Sequence, residues 1–325
     1  MTDSTVLLIC PICHFQNVYS VLNIYDDRYG YPGLFDLLLC NRCRHKFLSC
    51  HFSEEQLENL YTDYYLRSTF DLKVFRPYEE RTGFRYWFDG GKSAAHCWVP
   101  KNVRVLDIGC GFGHSLAYHT NRGCDVYGVE ADRNIKRVAE KFGFKIHVGL
   151  FDPDVYQNDF FDYITMHQVL EHFVNPVRAL QGVKKILKPK GTAILTMPNA
   201  NGWGVRFFGK HWVNWHAPYH LHFFSRKSMK MAAERAALTI DKAMTVTSSE
   251  WLYYQQIHIS VFPEEGVSSV FWDPARKPSE QEQKRINRIS KFHRKYKLNY
   301  CITRLFDSIG LGDNIVYFLK NEQNS

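Results

Sequence analysis

Nothing in these 325 residues approaches the ~20 consecutive apolar positions that a membrane-spanning helix needs, so no membrane span is expected. The start, Met1-Thr2-Asp3-Ser4, lacks the basic opening of a secretory signal, and the expected location is cytoplasmic. Internal repeats and low-complexity linkers are missing too. With 45% hydrophobic and 23% charged residues, the composition excludes a mainly disordered chain, a collagen and a coiled-coil rod. A disulfide framework is also lacking. The cysteines number nine, an odd count, and four of them form two close pairs near the N-terminus. The others, Cys50, Cys97, Cys110, Cys124 and Cys301, are scattered. In a reducing compartment such pairs read as metal ligands or redox centres before they read as bridges. Spread-out positive charge is missing as well. Of the net +8, the segment Arg276–Lys297 supplies +7, from nine Lys or Arg and two Glu. A body that binds nucleic acid generally would distribute its basic residues more widely.

What is present falls into three stretches. Residues 1–52 hold the cysteine pairs and short β-like runs, a ribbon-like segment. Residues 53–98 read as a helical cover or linker, with Ser53 as a cap, dense aromatic residues (Tyr61, Tyr64, Tyr65, Phe70) and a second helix near Tyr78–Phe88. From about residue 99, β-rich runs alternate with helical ones. Val103–Ile108, Asp125–Val129, Lys145–Val148, Phe161–Met166 and Thr192–Met197 are expected strands. His114–Thr120, Asn134–Phe142 and Pro176–Leu187 are the helices between them. Ser225 looks like the cap of a helix over Arg226–Ala236. Leu238–Thr247 and Asn314–Leu319 are later strands. Such alternation argues for an α/β fold, a parallel sheet with helices on both faces. An insertion occupies about 252–306.

Asp107-Ile-Gly-Cys-Gly-Phe-Gly113 follows an apolar strand and precedes a helix. Three glycines permit a tight turn and close approach of a ligand to the backbone. A loop opening a helix offers N–H groups and the positive dipole end to a carboxylate or phosphate. Glu130, 17 residues after Gly113 at the end of the next strand, can accept both hydroxyl hydrogens of a ribose. The G-x-G-x-G spacing and Asp107 before the turn argue against a dinucleotide site.

Val105-Leu-Asp-Ile-Gly-Cys-Gly-Phe-Gly113 resembles the first motif of class I S-adenosylmethionine-dependent methyltransferases. Phe161-Asp-Tyr-Ile-Thr-Met-His-Gln-Val-Leu-Glu-His172 resembles the fourth-strand motif of the branch containing ubiquinone-biosynthesis O-methyltransferases. Ile186-Leu-Lys-Pro-Lys-Gly-Thr192, Pro198-Asn199 and Pro218-Tyr-His-Leu-His-Phe-Phe-Ser225 fit the same branch, with Lys190 where a glycine is usual. The resemblance implies a Rossmann-like, seven-stranded methyltransferase sheet with S-adenosylmethionine as cofactor. It assigns Asp107 and the backbone of Gly109, Cys110 and Gly111 to the methionine end. Glu130 would take the ribose, with Ala131, Leu150 and Phe151 around the adenine and His167 against the methionine moiety.

Methyl transfer to a hydroxyl needs alignment and usually a base, and a histidine is suited to that near neutral pH. His172 is the first candidate, with Glu171 orienting it. His220 and His222 are rivals from the span 203–224, which holds eight Phe, Trp or Tyr and four His. Some members of the family carry Glu-x-x-Glu-His at this segment and bind a divalent metal. Gln168 replaces the first carboxylate here, which weakens such a site.

Cys10-Pro-Ile-Cys13 and Cys40-Asn-Arg-Cys43 stand 26 residues apart and can form a four-thiolate structural zinc site, with His45, Cys50 and His51 as spare ligands. His14 completes a C-x-x-C-H haem signature, which would require export. In 276–297, Ile286, Ile289 and Phe292 recur among basic residues as an amphipathic helix. It is expected to present a solvated face or to bind an acidic partner. These features together point to an S-adenosylmethionine-dependent methyltransferase acting on a hydroxyl oxygen of a small molecule or glycan precursor. The aromatic span and the insertion would wall its pocket. An RNA methyltransferase and a non-catalytic binding protein of the same fold are the alternatives.

Overall fold

The computed structural model describes residues 9–50, 52, 56, 60, 64, 72–73 and 75–322. Eleven strands in these residues form two sheets. The larger sheet contains β4 (Arg104–Ile108), β5 (Asp125–Glu130), β6 (Lys145–Val148), β7 (Phe161–His167), β8 (Leu187–Pro198), β10 (Thr239–Thr245) and β11 (Asn314–Lys320). Its order is β10-β11-β8-β7-β4-β5-β6. β6, β5, β4, β7 and β8 run parallel, while β11 enters antiparallel beside β8 and β10 pairs antiparallel with β11. Both faces of the centre are covered, so Leu106, Ile164, Met166, Ile194 and Leu195 are fully buried. That is why these strands read as near-continuous apolar runs. The direction of chain progression reverses between β4 and β7. Open α/β sheets bind ligands beyond the strand C-termini at such a reversal.

The smaller sheet is β1 (Val18–Ile24), β2 (Phe35–Cys40), β3 (Lys46–Leu48) and β9 (His222–Phe223), in that order and antiparallel. Its fourth strand comes from far along the chain, so the N-terminal ribbon is completed by the aromatic span. Further bonds tie the ribbon to segments around that span, among them Lys46 Nζ to the Ala200 carbonyl (2.9 Å), Ser225 Oγ to the Cys43 carbonyl (2.9 Å) and an Arg235 guanidinium N–H to the Ile12 carbonyl (2.6 Å).

Helices form where caps and apolar spacing coincide. Asn175 caps Pro176–Ile186 by accepting from the Arg178 N–H, and Val177, Leu180, Val183 and Ile186 point inward. Two expectations are revised. The helix near Tyr78–Phe88 is only Gly83–Phe88. Tyr78 is held extended by its N–H bond to the His114 carbonyl, while its ring stacks on His96 with centroids 4.6 Å apart. In the basic helix Glu280–Tyr296 the inward stripe ends on His293, which is buried, while Phe292 is 43% exposed. A 3.6-residue period carries Ile286 to position 293, not 292. Lys190 lies in the left-handed region (φ +64°), which is the physical reason a glycine is usual there. Most of the aromatic stretch 53–71, including Ser53, Tyr61, Tyr65 and Phe70, falls outside the described residues, as does His51.

Candidate active site

The turn after β4 is preformed. The N–H groups of Gly109 and Cys110 donate to the Val129 carbonyl (2.8 and 3.1 Å), and the Gly111 N–H donates to Glu130 Oε2 (2.8 Å). Glu130 Oε1 also accepts from the Asp132 N–H (3.0 Å), so its carboxylate is fixed at the end of β5. Gly109 has φ +76°, and a Cβ there would lie 2.4 Å from Val169 Cγ2, so no side chain fits. A Cβ on Gly111 would meet nothing within 4 Å, which leaves the turn open on that side. An acid held beside an open glycine turn fits a ribose-bearing cofactor.

Asp107 sits beneath the turn. Ser115 Oγ donates to its Oδ2 and Thr165 Oγ1 to its Oδ1 (2.7 Å). Burial lifts its pKa to about 6, with the two hydroxyls opposing the rise and Glu130 adding to it. The structure therefore places Asp107 as a tie between β4, β7 and the helix His114–Thr120. Around the expected adenine position, Ala131 is exposed, Leu150 is 81% exposed and Phe151 turns inward against Phe173.

The second half of the site lies at the ends of β7, β8 and β11. His167, the last residue of β7, shares a 2.5 Å bond between Nδ1 and Thr196 Oγ1. By surface area it is exposed, yet it lines a cavity, and desolvation by the surrounding protein lowers its pKa to about 4. Gln168 turns its amide to Asn314 Oδ1 (2.7 Å), toward β11. His172 donates from Nδ1 to the Tyr219 carbonyl (2.9 Å), and His220 from Nδ1 to the Asn214 carbonyl (2.9 Å). Each bond fixes the neutral ring in the tautomer whose Nε2 is the acceptor. The two rings pack edge-to-face with centroids 4.7 Å apart.

Glu171 lies between them, fully buried, with neither oxygen bonded among the described residues. Burial pushes its pKa to about 8. The donor atoms of Glu171, His172 and His220 lie within 4.8 Å of one another and could hold a metal ion. His222 goes elsewhere: it is drawn into β9, where its Nδ1 bonds His45 Nε2 (3.1 Å). The bond engages His45, offered by its position as a spare zinc ligand, which also meets Ser228 Oγ (3.3 Å).

His167, Gln168, His172 and His220 line one cavity of about 390 Å³. Its other walls include Pro198, Asn314, His216, Trp251, Tyr254, Trp272 and Arg28. The aromatic span and the insertion both contribute, as their composition suggested. Arg28 was not legible as a site residue: nothing in its local sequence marks it, and only the docking of the ribbon brings it against Trp272 of the insertion.

The four cysteines converge. Cys10 and Cys43 sulfurs are 3.5 Å apart, as are those of Cys13 and Cys40, and all four lie within 4.8 Å. Zinc–sulfur bonds of ~2.3 Å imply sulfur separations of ~3.8 Å in a tetrahedron, so the cluster fits zinc. His14 and Arg44 adopt positive φ (56° and 60°), and their N–H groups bond back to the carbonyls of Cys10 and Cys40. Each pair thus forms the same tight knuckle.

Residues 76–243 match the family described as a methyltransferase domain. A ubiquinone biosynthesis O-methyltransferase of Azoarcus sp. (strain BH72) is 27% identical over 135 residues, covering 39% of this chain and 55% of the relative. That of Roseobacter denitrificans is 34% identical over 107 residues, covering 31% and 43%. The chain thus spans about half the length of the curated relatives it matches. Among solved structures, phosphoethanolamine N-methyltransferase 2 of Haemonchus contortus, in complex with S-adenosyl-L-methionine, aligns with TM-score 0.45 and 18% identity over 69% of this chain and 50% of that one. Geranyl diphosphate C-methyltransferase of Streptomyces coelicolor A3(2) aligns with TM-score 0.44 and 14% identity over 70% and 75%.

Proposed function

The chain belongs to the methyltransferase domain family, and from that premise we propose that it transfers a methyl group from S-adenosylmethionine to a hydroxyl oxygen of a small molecule or glycan precursor. The β4 turn and Glu130 would hold S-adenosylmethionine, which would supply an electrophilic methyl group. The names of the ubiquinone O-methyltransferases support oxygen as the acceptor atom. In this reading Glu130 holds the ribose hydroxyls, Asp107 keeps the turn in place and His167 borders the methionine end. The zinc ribbon of about 1–52 and the segment 53–98 flank a catalytic domain from about residue 99. The exposed Lys and Arg residues of Glu280–Tyr296 form a surface for an acidic partner.

One observation carries the mechanism. His172 stands on the wall of the cavity beyond β7, with its Nδ1–H committed to the Tyr219 carbonyl. A neutral imidazole so oriented can accept a hydroxyl proton at Nε2 as transfer proceeds, a role worth typically ~10²–10⁴-fold in rate. His220 has the same orientation, but burial holds its protonation well below the usual histidine range, with His172 and Arg28 adding to the effect. It is the poorer base and serves to shape the pocket.

The test has two parts. Calorimetry on the purified protein is expected to show S-adenosylmethionine binding, weakened at least ~10-fold by Glu130→Ala through loss of charged hydrogen bonds. With an acceptor found by screening metabolite extracts with methyl-labelled cofactor, His172→Ala should keep cofactor binding and lose ~10²-fold or more in turnover. His222→Ala should leave turnover within a few-fold. Absence of cofactor heat in the wild type sinks the whole reading, and near-normal turnover in His172→Ala sinks the base.

A further inference from the structure

Arg28 lies between the second and third cysteine positions of the ribbon, yet it lines the cavity at the far end of the catalytic sheet. The loop that carries it is built for the purpose. Asp26 accepts the N–H groups of Arg28 and Tyr29 at Oδ1 and of Tyr31 at Oδ2, all at 2.9 Å, which fixes the turn from inside. Tyr25 donates to the Pro263 carbonyl (2.9 Å), and the Arg28 carbonyl accepts from the Ser269 N–H (2.8 Å), so the loop is pinned to the insertion. The guanidinium lies over the Trp272 ring, 4.3 Å from its centroid, and donates to the Val213 carbonyl at 2.6 Å. Its position is therefore held by an aromatic face on one side and a carbonyl on the other, before any ligand arrives.

The charge it brings has no ion-pair partner among the described residues. Asp26 is occupied with backbone N–H groups, and Asp27 Oδ2 faces His258 Nε2 at 3.2 Å. Among the lining residues the one carboxyl is Asp313; its Oδ1 is engaged by the Gly204 N–H (3.0 Å), and burial pushes its pKa well above the ordinary range. Ser93, Gln168, Asn214, Thr247, Ser248 and Asn314 add uncharged polar groups to the lining, beside four histidines and Tyr254. A fixed guanidinium in a concave, aromatic-walled site with no matching anion selects a ligand that supplies one.

We propose that the acceptor carries a carboxylate or phosphate group, and that Arg28 binds this anion and orients the molecule toward the edge of β7. This rests on the methyltransferase reading for the word acceptor, while the anion site itself stands on the geometry alone. The ribbon thereby has a second use beside its metal: it delivers the residue that reads the substrate. Arg28 is a binding residue in this account, with the proton transfer left to His172.

Three small probes test the site on the full zinc-loaded chain: phenyl phosphate, benzoate and the neutral benzyl alcohol. Each is titrated by tryptophan fluorescence, since Trp272 and Trp251 line the cavity. At least one anion is expected to bind in the millimolar range and benzyl alcohol far more weakly. The two anions together tell a phosphate reader from a carboxylate reader. Arg28→Gln should weaken the bound anion at least ~10-fold, and Arg28→Lys should lose less, because it keeps the charge and loses the fork. S-adenosylmethionine calorimetry on every variant reports whether the fold is intact. If Arg28→Gln does not fold, the wild-type to Arg28→Lys comparison decides, with unchanged anion affinity counting against the proposal. Equal binding of benzyl alcohol and the anions, or no anion binding to wild type, overturns it. Cofactor binding without anion binding removes this proposal alone. Anion binding through Arg28 without cofactor binding keeps the site and removes the methyltransferase reading.

Discussion

Glu171 is the residue whose environment makes the sharpest demand. Its carboxyl is fully buried between His172 and His220, and desolvation raises its pKa from 4.5 to about 8. Below pH 4.5 the folded and unfolded chains both carry the proton. Between about 4.5 and 8 the unfolded chain loses it and the folded chain keeps it, so stability falls as pH rises through that window and levels off above it. Glu171→Gln removes the dependence. In paired urea titrations the variant should match the wild type near pH 4.5 and exceed it at pH 9, by on the order of a few kcal/mol. The opposite trend, wild type gaining on the variant as pH rises, would mean a charged carboxylate matched by a cation held with His172 and His220. Sequence alone offered Glu171 as the group that orients His172, with no sign of how deeply it is buried. Its burial depends on the His216–His222 span closing over it, where the Leu221 N–H bonds the Glu171 carbonyl (2.9 Å).

At the scale of elements, the helix Arg226–Arg235 shows how one cap serves two units. Ser225 Oγ accepts from the Ser228 N–H (3.0 Å) and Ser228 Oγ accepts from the Ser225 N–H (2.9 Å), a reciprocal box. The same Ser225 hydroxyl donates to the Cys43 carbonyl (2.9 Å), inside the second cysteine knuckle. Ser225→Ala should therefore cost about 1–2 kcal/mol, the upper part of the usual range for losing a cap. A urea midpoint shift reports the cost, and faster zinc release to a chelator than in wild type reports the link to the knuckle. Release at the wild-type rate would show that the bond to Cys43 contributes nothing to the ribbon. The cap itself was legible, because Ser before a helical run is a local signal. Its second bond was not, because Cys43 is 182 residues away. The same contrast holds for the strands. Each apolar run of the large sheet could be placed from its own residues, whereas β9 is two residues long and exists only because β3 offers it an edge.

For the whole molecule, the ribbon and the rest of the chain share a strand pairing through β9, a cap and a cavity. About one zinc per chain is expected by elemental analysis, held by Cys10, Cys13, Cys40 and Cys43. Cys43→Ser leaves the shell incomplete. Beyond loosening the first ~50 residues, it should weaken phenyl phosphate or benzoate binding, because the loop carrying Arg28 hangs between the two knuckles. S-adenosylmethionine binding should suffer less, since Glu130 and the β4 turn belong to the other sheet. Protein prepared without chelator and found free of metal would remove the zinc assignment. No helix among the described residues is long and apolar enough to cross a membrane.

The sequence by itself determined the alternation that yields the seven-stranded sheet, the glycine turn with its acid at Glu130, and the four-cysteine cluster. Each of these is written in residues close together or in repeated spacing, where propensity, turn chemistry and metal-ligand geometry act locally. Only the tertiary structure decided which histidines meet. His172 and His220 come from segments 48 positions apart and face each other, while His222, two residues on, is drawn into β9 and bonds His45. It alone decided that Glu171 is buried, and that Arg28 from the ribbon stands at the cavity beyond β7. Those outcomes depend on how two sheets dock, a matter of packing between distant surfaces that no local pattern encodes.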